Sequence, residues 1–130
     1  MSDMTVRRKK RPKNLDLTTI KLPLPGVLSI IHRITGAWLF LLLPVFLWLF
    51  EKSLASPESF AYVKGLGDHF IVRLILLGFI WFYIQHFLAG LRYMLIDLHK
   101  GVELEAARFS TKVVFAASTV MMVVIGAFIL

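Results

Sequence analysis

Residues 37–50, 74–91 and 113–130 contain no Asp, Glu, Lys or Arg, and no other feature limits the possible folds of this chain so strongly. With 58% hydrophobic residues in a chain of 130 and a mean hydropathy of +0.75, a soluble domain of this size has too little interior to hide its apolar surface. A bilayer removes the difficulty. Its hydrocarbon core is roughly 30 Å thick and takes about 20 mainly apolar residues per helix. The sequence therefore predicts an all-α integral membrane protein with three transmembrane helices, over about residues 25–50, 68–98 and 110–130. They are preceded by a basic arm over residues 1–24 and joined by a polar connection over residues 51–67 and a charged bridge from Glu103 to Arg108.

The net charge of +7 is not spread over a surface. Arg7, Arg8, Lys9, Lys10, Arg11 and Lys13 crowd the arm ahead of the first span, which reads as a topology signal and not as a nucleic-acid footprint. The first loop carries only Lys52 and Lys64, against Glu51 and Glu58. By the positive-inside rule the N-terminus and the second loop are cytoplasmic, and Leu130 ends at the outer face. Prolines at positions 12, 23 and 25 keep the arm from being one helix, and it is expected to lie along anionic head groups. No secretory signal is recognisable, because residues 14–19 are too polar for an apolar signal core. The chain has no cysteine, which excludes disulfides and thiolate metal sites and leaves the redox compartment open.

Punctuation within the spans is sparse. Pro25 suits a first helical turn, Pro44 is expected to kink the first span, and Lys100-Gly101 reads as a stop after the second. Arg73 and Arg92 flank the second span, from where both can snorkel to the head groups.

Chemistry is carried by polar groups inside the spans. Ser29, His32, Arg33 and Gly36 recur at offsets of three, four and seven, one face of a helix. An arginine at this depth costs roughly 2.5–3.5 kcal/mol on insertion scales, so it either snorkels or meets an anionic or strongly polar group. His86, Gly90, Tyr93 and Asp97 share a face of the second span. His86 is then either an interhelical hydrogen-bonder or an axial ligand to haem iron, with Gly90 leaving room for a flat macrocycle. His86 lies about 9 Å inside Arg92, and Arg33 about 12 Å inside Pro25. Two stripes at similar depth can line one cavity near the cytoplasmic side. Asp97 reads equally as a counter-charge, a proton donor or an exposed acid. His69 and His99 are expected at the membrane edges, and Trp38, Trp48 and Trp81 as packing or interface anchors.

Three segments resemble the cytochrome b, or large membrane-anchor, subunit family of bacterial succinate dehydrogenase, the succinate:quinone oxidoreductase of respiratory complex II. The first is Arg11-Pro12-Lys13-Asn14-Leu15-Asp16-Leu17, followed by Ile20-Lys21-Leu22-Pro23. The second, Ser29-Ile30-Ile31-His32-Arg33-Ile34-Thr35-Gly36, is similar to the family's Ser-x-x-His-Arg-x-Ser/Thr-Gly. The third runs from His86 through Gly90, Arg92 and Tyr93 to Asp97 and resembles His-x-x-x-Gly-x-Arg-His-x-x-x-Asp. Order, spacing and the three-helix layout agree over nearly the whole chain.

The resemblance implies a multi-pass subunit of the bacterial inner membrane, in a helical bundle with a second, smaller anchor subunit and lipid, docking a flavoprotein and an iron–sulfur subunit. It implies Ser29 and Arg33 beside ubiquinone, His86 as one axial ligand of a shared haem b, and His32, Arg33 and Tyr93 near the haem propionates. Tyr93 departs from the histidine common in relatives; it can hydrogen-bond a propionate but cannot be a cation. Asp97 is an expected proton or counter-charge residue. The implied activity is quinone reduction with electrons from succinate, whose oxidation would belong to the partner subunits. The readings that compete are a fumarate reductase anchor, a haem-free structural anchor, and a small transport subunit, the last disfavoured because one stripe near one face does not cross the membrane.

Overall fold

In the computed structural model, residues 12, 13, 16 and 19–129 are described. The chain forms α1 (Leu24–Ala55), α2 (Pro57–Leu66), α3 (Phe70–Asp97) and α4 (Leu104–Ile129), with no strand among the described residues. The basic run at residues 7–11 of the expected arm lies outside them, and Lys13 and residues 20–23 are non-helical. Three of the four helices are long and apolar enough to cross a membrane: α1, α3 and α4. In hydrocarbon every backbone donor and acceptor needs a partner within its own segment, which a helix alone supplies to a single unpaired span.

α1 begins where the sequence places a proline. Pro23 is extended at the N-cap, its carbonyl accepts from the Gly26 and Val27 amides at 2.8 and 3.2 Å, and Pro25 occupies the first turn. Pro44 lies inside this helix, where it removes the bond that would reach the Phe40 carbonyl. The expected end at Phe50 is overrun by five residues, Glu51-Lys52-Ser53-Leu54-Ala55, mostly strong helix formers at a depth where charge is tolerated. At 32 residues α1 is about 48 Å long, more than the hydrocarbon requires.

The polar connection is a correction. Residues 57–66 are the helix α2, announced by a signal that the spacing of apolar residues does not carry. Ser56 caps it by accepting from the Ser59 amide at 3.1 Å, Pro57 takes the first position, and Glu58 sits in the first turn. The Glu58 carboxyl is held below the usual carboxylate range by its own backbone N–H and by the Ser56 side chain. α4 likewise starts earlier than expected, at Leu104, so that the charged bridge is mostly helix.

The turn after α3 is a Schellman motif centred one residue ahead of the expected Lys100-Gly101 stop. His99 adopts φ 57°, its amide bonds the Ile96 carbonyl at 2.8 Å, and the Lys100 amide bonds Leu95 at 3.0 Å. At the other end of α3, Arg73 donates to the Gly67 carbonyl at 2.9 Å and lies 3.6 Å from Asp68.

Leu28 of α1, Ala89 of α3 and Val114 of α4 form the small core where the three spans meet. α3 and α4 are further joined by polar side chains. Ser118 donates to Gln85 Oε1 at 2.5 Å with both residues fully buried, and Trp81 donates to Thr119 at 3.3 Å. Arg92 corrects the snorkelling expectation. It is 5% exposed and donates to Ser110 Oγ at 2.8 Å and the Ala107 carbonyl at 3.1 Å. Little else is hidden: only 6% of the most apolar window of α1 and 17% of those of α3 and α4 is buried. The apolar side chains therefore face outward, as a lipid solvent or neighbouring helices require.

Replacing Ser118 by Ala leaves both polar ends of buried Gln85 without a partner among the described residues. The expected cost is about 1 kcal/mol of unfolding free energy in detergent titrations. It should be largely absent when the same change is made in a Gln85→Leu background.

Candidate functional site

The polar residues of α1 do not share one destination. A helix repeats every 3.6 residues, and packing against α3 selects Leu28, His32, Thr35 and Gly36 as the inward row. Leu28 and Thr35 are buried and His32 is half-buried, whereas Arg33, one residue on, is exposed and Ser29 is only half-buried. The expected face thus splits in two. Its histidine points at α3, its arginine faces outward, and Thr35, which the site reasoning left out, joins the inward group.

From α3 the facing residues are His86, Gly90 and Tyr93. The imidazoles of His32 and His86 stack with centroids 4.1 Å apart and planes within 2°, and Tyr93 meets His32 edge-on at 5.1 Å. Each glycine makes room for the other helix's histidine. A Cβ on Gly36 would lie 2.8 Å from His86 Cε1, closer than such atoms approach, and one on Gly90 would touch His32 Nε2 at 3.7 Å. The space beside Gly90 is occupied by the His32 ring. Asp97, at the end of α3, is exposed.

Hydrogen bonds assign the His86 tautomer. Its Nδ1 lies 3.0 Å from the His32 carbonyl oxygen and 3.2 Å from Thr35 Oγ1. A carbonyl only accepts, so Nδ1 carries the proton. The Thr35 hydroxyl is consistent with this: its own hydrogen goes to the Ile31 or His32 carbonyl, at 2.9 and 3.0 Å, leaving a lone pair toward Nδ1. The Nε2 lone pair is then the free one. An imidazole held through Nδ1–H to a carbonyl, with Nε2 as the open donor atom, is the arrangement of a metal-ligating histidine.

Among the described residues no group of three or more His, Cys, Asp or Glu could hold a bare metal ion. Any metal met by His86 must bring most of its ligands with it. Close by, the Tyr93 hydroxyl is buried with no hydrogen-bond partner among the described residues, and Arg92 lies 5.4 Å from the Tyr93 ring centroid. A cavity of about 480 Å³ is walled by Leu39, Phe46, Phe79 and Tyr83 among others and includes none of the polar stripe. Its apolar walls suit hydrocarbon and offer no polar recognition.

Comparison with known proteins adds the following. Residues 7–125 match the family described as the succinate dehydrogenase/fumarate reductase transmembrane subunit. The chain is 36% identical over 121 residues to the succinate dehydrogenase cytochrome b556 subunit of Coxiella burnetii, covering 92% of this chain and 97% of that protein. It is 34% identical over 118 residues to the cytochrome b556 subunit of Paracoccus denitrificans, covering 91% of each. The succinate dehydrogenase cytochrome b560 subunit of Reclinomonas americana is 34% identical over 100 residues, or 73% of this chain and 69% of that protein.

Nitrogen-15 NMR of the histidine-labelled full chain at mildly alkaline pH is expected to show the His86 ring proton on Nδ1. Gly36→Val should abolish that signature by driving a side chain into the ring. A proton found on Nε2 in the unsubstituted chain would refute the assignment.

Proposed function

The chain belongs to the succinate dehydrogenase/fumarate reductase transmembrane subunit family, and from that premise we propose that it is the large membrane anchor of a succinate:quinone oxidoreductase, holding one side of a haem b and part of a ubiquinone-reduction site. The observation that carries this reading is the His86 imidazole, fixed through Nδ1 with Nε2 open. A porphyrin brings four nitrogens of its own, so one histidine from this chain and one from a second, smaller anchor subunit complete the iron's ligands. When bound, the haem supplies a one-electron redox centre between the soluble subunits and the quinone.

The residues fit such a group on structural grounds. His86 offers the ligating lone pair, and the buried Tyr93 hydroxyl lacks a partner that a propionate oxygen would provide. His32 and Arg33 are the remaining candidates for the propionates. Ser29 and Arg33 lie one turn apart on α1, half-buried and exposed respectively, and neither has a hydrogen-bond partner among the described residues. In the proposed site the Ser29 hydroxyl donates to a quinone carbonyl, and the Arg33 guanidinium favours the negative charge that grows on the quinone oxygens during two-electron, two-proton reduction. Both then meet the polar partner whose absence would make an intramembrane arginine costly. Asp97, exposed at the end of α3, would be the proton-exchange or counter-charge residue.

The remaining parts of the reading follow from charge and chemistry. The basic arm over residues 1–24 and the loop after α3 would face the cytoplasm of a bacterial inner membrane, where a flavoprotein and an iron–sulfur subunit dock and carry out succinate oxidation. A fumarate reductase anchor is the same architecture run in the other direction. Direction is a matter of potentials and of the quinone present.

A dithionite-reduced minus oxidised spectrum of membranes holding the assembled complex should show a b-type α-band that disappears in His86→Ala. A band that survives the substitution would remove His86 as ligand. Arg33→Leu and Ser29→Ala should each lower quinone reduction about tenfold, the value of one charge-assisted hydrogen bond. Succinate oxidation by an artificial dye should remain near its normal rate; equal loss of both would mean failed assembly.

A further inference from the structure

The one buried charged side chain among the described residues, Arg92, has only neutral hydrogen-bond partners. The guanidinium carries five N–H donors, and Ser110 and Ala107 take two of them. Among the described residues the ion pair is Arg73 with Asp68, so no described carboxylate balances Arg92. A positive charge taken out of water in this way is expected to meet an anion.

Two cavities show where the anion would sit. Both are lined by Arg92, Leu95 and Ser110. One, about 210 Å³, opens toward the turn after α3, where Lys100 and Gly101 form its rim. The other, about 290 Å³, runs along the α3–α4 seam past Leu88, Val114 and Ala117 and is almost wholly apolar. Arg92 lies five residues from the end of α3, about 8 Å below it, at the depth of the boundary between head groups and hydrocarbon. A cation stands at the junction, a second at the mouth, and an apolar trough leads inward.

We propose that this seam is a binding site for an anionic phospholipid, with its phosphate between Arg92 and Lys100 and one acyl chain in the trough toward Ala117. The charges select a negative head group, and the trough selects a lipid over a free anion. Lys100 reaches the phosphate from the exposed rim and acts as a tether. Arg92, braced by Ser110, is the fixed element. The site does not use His86, Ser29 or Arg33, and although Arg92 lies 5.4 Å from the Tyr93 ring centroid, lipid retention is read separately from haem and quinone chemistry.

The test uses the full chain with its co-purifying subunits, washed in mild detergent and analysed by native mass spectrometry and lipid extraction. The unsubstituted protein should retain a phosphatidylglycerol-class lipid that zwitterionic phosphatidylcholine does not replace. Lys100→Gln, on the exposed rim and neutral to folding, should weaken retention about fivefold. Ala117→Phe should fill the trough and abolish it. Thermal unfolding, read by tryptophan fluorescence, should shift upward when dioleoyl phosphatidylglycerol is returned to the delipidated protein, and not when inorganic phosphate is added. Equal retention in all three proteins would overturn the proposal, as would rescue by inorganic phosphate alone. So would cross-linking from position 110 that captures a partner polypeptide in place of lipid, because Arg92 would then be balanced by a partner's carboxylate.

Discussion

Hydrocarbon tolerates no unpaired polar group, and the structure is largely the working out of that constraint. It accounts for the helices, and it also governs the small polar side chains within them. Thr35 bonds back to Ile31 and Thr111 to Ala107, each hydroxyl returning its hydrogen to a carbonyl of the preceding turn. Once quieted in this way, a hydroxyl still has lone pairs for a neighbouring helix. Thr35 presents one to His86. Bonds between helices are thus built from groups whose local needs are already met.

The same constraint gives meaning to the groups that are not satisfied. Gln85 Nε2 and the Tyr93 hydroxyl are buried without partners, and Arg92 is buried without a counter-charge among the described residues. Among the described residues these are the exceptions to a pattern in which buried polar atoms are paired. Tyr93 adjoins the stacked histidines, and Arg92 adjoins the α3–α4 seam. They lie on neighbouring residues about 100° apart around α3, so the proposed haem and lipid sites occupy adjoining faces of that helix.

The reciprocal placement of Gly36 and Gly90 shows how α1 and α3 come close enough for this chemistry. Each glycine receives the other helix's histidine, which stacks the imidazoles at 4.1 Å and brings the His32 carbonyl within reach of His86 Nδ1. A larger residue at position 36 pushes the ring away from the carbonyl that fixes its tautomer. Backbone approach and the orientation of the His86 ring are therefore one feature.

Sequence alone determined the apolar solvent and the number of spans. Uncharged runs and loop charges are local properties, and the cost of placing an ion in hydrocarbon does not depend on what packs beside it. Helix ends were less legible, because the capping of α2 by Ser56 and the Schellman turn at His99 are set by single side chains and dihedral angles that apolar spacing does not register. Which residues of a polar stripe meet was not legible at all. Ser29, His32, Arg33 and Gly36 lie within one broad helical face, but only the position of α3 separates an inward His32 and Thr35 from an outward Arg33. Arg92 looked like an interfacial anchor until α4 supplied Ser110 and the Ala107 carbonyl. Those distinctions are made by contacts between segments distant in the chain, and only the tertiary structure brings such segments together.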